Sequence, residues 1–84
     1  MTASDIKDLA KKVVMEAKEK GIDYNWGKKI YNISLTMQER EYILLSDLIQ
    51  LYADYIILGK QSKHNTKVLS DGYIKTYEKE REDD

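Results

Sequence analysis

From Met37 to Leu58 the apolar residues recur at helical spacing over a broad arc. At 100° per residue, Leu44, Leu45, Leu48, Ile49, Leu51, Tyr52, Tyr55, Ile56 and Leu58 fall within about 180° of one another, wider than the stripe of an ordinary surface helix. Thr36 and Glu39 have the spacing of a capping box, and Gly59 followed by Lys60 supplies a stop. The pattern predicts one helix over about 37–58, roughly 33 Å long at 1.5 Å per residue. Such a rod has to be covered from two directions. Ile43, Ala53 and Ile57 fall on its other side, among Ser46, Asp47, Gln50 and Asp54.

Little else interrupts helices. The 84 residues contain no proline, and the four glycines, Gly21, Gly27, Gly59 and Gly72, fall between candidate elements. A first helix is expected over Asp5–Lys20, capped by Ser4, with Ile6, Leu9, Ala10, Val13, Val14 and Ala17 in an arc of about 140°. Met15 is its one large apolar residue on the opposite side, and Gly21 suits a left-handed cap. This helix is too short to hide the central rod, so the remaining cover has to come from the C-terminal segment or from a second copy of the chain.

Two segments stay open on the residues alone. Tyr31, Ile33 and Leu35 alternate, which fits a short strand near 31–35, whereas Trp26 to Tyr31 fits a helical turn. Residues 60–67 are polar and aperiodic and read as an exposed connection. Beyond them, Val68, Leu69, Tyr73, Ile74 and Tyr77 fit either a hairpin turning at Ser70-Asp71-Gly72 or, by preference, a third helix begun by Ser70 or Asp71. The fold class is therefore mainly α. A single small helical domain over 1–79 is organised around one long central helix, with 80–84 as a fraying acidic tail.

Several chemistries lack their residues. Without cysteine there is no disulfide framework, thiol nucleophile or zinc ribbon. His64 is the one histidine, in a polar stretch with no nucleophile motif and no second metal ligand of its kind. Asp47 and Asp54 share a face that reads as solvated, and Gly27-Lys28-Lys29 lacks the remaining parts of a phosphate-binding loop. No catalytic, cofactor-binding or metal-binding residue is assigned. No uninterrupted apolar stretch nears the roughly 18 residues of a membrane span, and residues 1–9 do not resemble an export signal, so a cytoplasmic protein with no membrane partner is expected.

Charge sums to −1 but is uneven, since residues 60–67 hold three lysines and no acid. Lys60, Lys63 and Lys67 are the candidate phosphate contacts of a nucleic-acid binder, a reading that an isoelectric point near 5.8 disfavours. Aromatic usage is more distinctive. There are seven Tyr, one Trp and no Phe, so every ring carries a polar atom suited to half-buried or interface positions. Tyr24, Trp26 and Tyr31, beside Lys28 and Lys29, form the candidate partner-binding surface. Ile43, Leu44, Leu51, Tyr55, Ile57 and Leu58 are the candidate interface of a homodimer paired through the central helix. These features favour a non-enzymatic regulator or inhibitor that occupies a surface of a larger protein or protein complex. A nucleic-acid-binding regulator and a structural oligomerisation module are the alternatives.

Overall fold

The computed structural model describes residues 2–82, with side chains for residues 2–79. Among them the chain forms four α-helices and no strand. Helix α1 spans Ala3–Lys20, α2 spans Tyr24–Leu35, α3 spans Tyr42–Ile56 and α4 spans Lys63–Glu82, with a 3-10 turn at Glu39–Glu41 before α3.

The first helix starts two residues earlier than its sequence suggests, because Thr2 and not Ser4 is the cap. The Thr2 hydroxyl accepts from the Asp5 backbone N–H at 3.2 Å, and the Asp5 carboxylate accepts from the Thr2 N–H at 3.2 Å. At the far end Gly21 adopts φ 68°, and the Ile22 N–H closes back onto the Ala17 carbonyl at 3.0 Å.

The segment that could have been a strand is helix α2. Its buried face is Gly27, Ile30 and Ser34, at helical spacing but mostly small or polar. Tyr31 and Ile33 lie on its flanks and Leu35 is exposed, so their alternation follows no pleat.

The single rod expected over 37–58 is shorter and begins later. Glu41, buried, accepts from the Gln38 N–H at 2.7 Å, so the capping box is Gln38/Glu41, two residues beyond the Thr36/Glu39 pair. The chain tightens there into a 3-10 turn before α3. At its other end the Lys60 N–H donates to the Asp54 carbonyl at 2.9 Å, and Gly59 takes φ 63°. The Lys20 ammonium reaches across from α1 to the Ile56 carbonyl at 2.8 Å, a cation placed at the negative end of α3.

The C-terminal segment is one helix from Lys63, and neither a hairpin nor a helix begun at Ser70 or Asp71. Ser62 caps it by accepting from the Asn65 N–H at 3.1 Å. Its buried face is Thr66, Ser70, Ile74 and Tyr77. The polar run 60–67 read as a loop because its one buried residue, Thr66, is itself polar, yet Thr66 satisfies its hydroxyl by donating to the Ser62 carbonyl at 2.8 Å. Of the tail expected to fray, the backbone of 80–82 continues α4, and 83–84 lie outside the described residues.

Helix α3 is the hub. Its Leu45, Leu48, Ile49, Tyr52, Ala53 and Ile56 meet Ile6, Ala10, Val13 and Ala17 of α1, Ile30 of α2, and Ile74 and Tyr77 of α4 in one core. Helices α1 and α4 flank it, and α2 packs chiefly on α1. The two-sided cover that the broad apolar arc demands thus comes from this chain's own α1 and α4.

Candidate interaction surface

The α1–α2 turn fixes the surface that α2 presents. Asp23 adopts φ 47°, a left-handed conformation that Asp tolerates better than most residues. Its backbone carbonyl accepts from the Tyr52 hydroxyl at 2.6 Å, and its carboxylate accepts from the Tyr55 hydroxyl at 2.7 Å. Lys67 approaches the same carboxylate at 3.2 Å and Lys63 at 4.0 Å. One residue therefore ties the start of α2 to the end of α3 and the start of α4. The two tyrosine rings meet edge to face, 5.9 Å apart.

Electrostatics follow from this geometry. Desolvation pushes the Asp23 carboxyl up, but the Tyr55 hydrogen bond and the Lys67 and Lys63 ammonium groups outweigh it and hold the carboxyl below its usual range. Burial pushes the Tyr55 hydroxyl up to about 12, helped by the neighbouring carboxylate. Burial also raises Tyr52, with Asp23 adding to it. Gly27 makes the Tyr52 contact possible, since a Cβ there would sit 3.3 Å from the Tyr52 ring and 3.5 Å from Val14.

With α2 so anchored, the five candidate partner-binding residues divide into two flanks of one helix. Trp26 and Lys29 lie on the α4 side. The indole is half-buried against the core, with the Lys29 ammonium 5.8 Å and the Lys67 ammonium 6.0 Å from its ring centroid. Its N–H is buried without an acceptor among the described residues. Tyr24, Lys28 and Tyr31 lie on the α1 side, at i, i+4 and i+7. There they join Val14, Met15, Lys18 and Asn32 around a cleft of about 300 Å³. Met15 is 60% exposed in it, and the Lys18 ammonium stands 5.9 Å from the Tyr24 ring. Met15 escaped the sequence reading as a site residue, whereas Lys18 could be read there only as a lysine able to join Lys28 and Lys29 in a basic patch. The lone apolar residue on the polar side of α1 was the available signal for Met15.

The candidate dimer residues do not share one face. Leu44, Leu51 and Tyr55 are half-buried on the α4 flank of α3, and Ile57 is half-buried just past its end. Ile43, 80% exposed, stands at the start of α3, and Leu58, 55% exposed, follows its end. Of the candidate phosphate contacts, Lys60 is exposed in the α3–α4 connection, and Lys63 and Lys67 occupy the first turns of α4, where Asp23 offsets their charge.

Among the described residues no cluster of His, Cys, Asp or Glu is arranged to hold a metal ion, and no helix is long and apolar enough to cross a membrane. Compared with protein-family models, curated proteins and solved structures, the chain has no match.

Proposed function

We propose that this chain is a non-enzymatic, cytoplasmic binding protein that regulates a larger protein by occupying part of its surface through the cleft between α1 and α2. The observation that carries this reading is the cleft's composition. An exposed methionine, two tyrosines and the Val14 side chain supply an adaptable apolar floor, while Lys18 and Lys28 stand on its rim. That arrangement suits a partner segment with an apolar side chain for the cleft and acidic residues beside it. The perturbed groups of the Asp23 network serve as internal ties between helices, which suits a rigid binding scaffold better than a reaction centre.

The nucleic-acid reading has a weaker footing, because Lys67 and Lys63 already face the Asp23 carboxylate. Parallel affinity capture separates the two readings. A partner protein retained by the natural chain is expected to be lost with Met15→Asp and with Lys28→Glu, whose sites are solvent-facing, while melting temperature stays the same. Equal retention by those variants, or salt-sensitive binding to duplex DNA that Lys60→Glu/Lys63→Glu abolishes, would overturn the cleft assignment.

A further inference from the structure

The furrow between α3 and α4 lies on the flank of α4 away from the Asp23 network, since Leu69 is about 160° around the helix from Lys67 at 100° per residue. Leu44 of α3 and Leu69, Gly72, Tyr73 and Thr76 of α4 line it, with Val68 on its outer edge, and none of these residues is charged. Val68 is 56% and Leu69 48% exposed, so an apolar strip lies open to water. The lips of the furrow do carry charge, and of opposite sign. Asp47, exposed, follows Leu44 by three residues on α3. Lys75 and Lys79, also exposed, follow Gly72 and Thr76 by three residues on α4.

We infer that a second copy of this chain closes the furrow, related by a twofold axis running along it. Rotation about such an axis lays each strip on its twin and brings the acidic α3 lip of one copy against the basic α4 lip of the other. An axis across the furrow would instead set Asp47 against Asp47 and lysine against lysine. Charge thus selects the pairing in which the two α4 helices run parallel. The absent side chain at Gly72 lets the partner's backbone come close near the middle of α4, where an added Cβ meets nothing within 4 Å of its own chain. This pairing uses none of the residues that line the α1–α2 cleft, so the dimer offers that cleft twice, a geometry that raises avidity for a repeated partner.

Sedimentation equilibrium on the full chain over micromolar to millimolar loading is the test. The mass is expected to rise from the monomer's 9.9 kDa toward twice that value, and Leu69→Asp is expected to hold it at the monomer. Asp47→Lys alone and Lys75→Asp/Lys79→Asp alone should each weaken pairing about tenfold, and combining all three should restore it. These three positions are exposed, so unchanged circular dichroism and melting temperature at a loading where the natural chain is monomeric will show that the charge variants keep the monomer fold, which leaves the inference testable even if Leu69→Asp does not fold. A monomer at every loading, a dimer untouched by Leu69→Asp in a folded variant, or charge reversals without loss and rescue would each overturn the inference.

Discussion

Asp23 and Gly27 show how much of this fold rests on single side chains. At Gly27 the gain in helix propensity from alanine, about 1 kcal/mol, competes with a Cβ placed 3.3 Å from a tyrosine ring. Tyr52 is buried and held by its bond to the Asp23 carbonyl and its edge-to-face contact with Tyr55, so moving its ring by a few tenths of an ångström disturbs packing on several sides and crowding wins. Gly27→Ala is expected to destabilise the chain by about 1 kcal/mol in urea unfolding, whereas relief of a flexible glycine alone would stabilise it. Asp23 makes the fold sensitive to pH. Its carboxyl lies below the ordinary 3.8 in the folded chain, so the stabilisation is present above that value and is lost as pH falls through the lower folded pKa. Tyr55 works in the opposite direction. Its folded pKa is raised from 10.0 to about 12, so its contribution is complete below pH 10 and is lost as pH climbs toward 12. Asp23→Asn keeps a residue that tolerates the left-handed backbone. It should cost about 1 kcal/mol at neutral pH, the partner lysines being too exposed for more, and the gap to the natural chain should close in acid. A gap independent of pH would assign Asp23 a purely conformational role.

At the scale of elements, the boundaries turn on caps. Ser62 starts α4 inside a run of residues that composition alone marks as a loop. Ser62→Ala should therefore lower stability by about 1 kcal/mol in urea unfolding, while Asp71→Ala, within an exposed stretch of the same helix, should change it little. Equal effects at the two positions would place the helix start elsewhere. The same helices show what could be read from the sequence. Helix α1 and the apolar face of α3 were legible because Ile6, Val13, Leu45, Leu48 and Ile56 are large, apolar and in phase. Of α4 only the stretch from Ser70 onward was legible as a helix, and α2 stayed open between strand and helix, because Gly27, Ser34, Thr66 and Ser70 occupy their buried stripes and carry no hydrophobic signal. Burial of Gly27 depends on close approach and that of Ser34 and Thr66 on local hydroxyl-to-carbonyl bonds, which are settled only once the neighbouring helix is in place. The candidate site was half legible for the same reason. Tyr24, Lys28 and Tyr31 fall on one stripe only if the segment is helical, and α1 supplies the opposite wall with Met15 and Lys18.

The whole molecule measures 37 × 25 × 19 Å, and its economy lies in α3 being covered on both sides by its own chain. That closure leaves the outer flanks of α2 and α4 among the surfaces open to other molecules, and the proposed docking cleft and the proposed dimer furrow lie there. The cleft fails if α2 does not pack on α1, and the furrow fails if α4 does not lie along α3. A chain of this size has no reserve of core to compensate for losing either contact. Backbone amide hydrogen exchange, followed residue by residue in the natural chain, tests this most directly. Slow exchange is expected to continue without a break from Thr66 through Tyr77, together with protection along α2 from Gly27 to Ser34. Rapid exchange over 66–69, or protection alternating along 68–77 as in a paired hairpin, would contradict it.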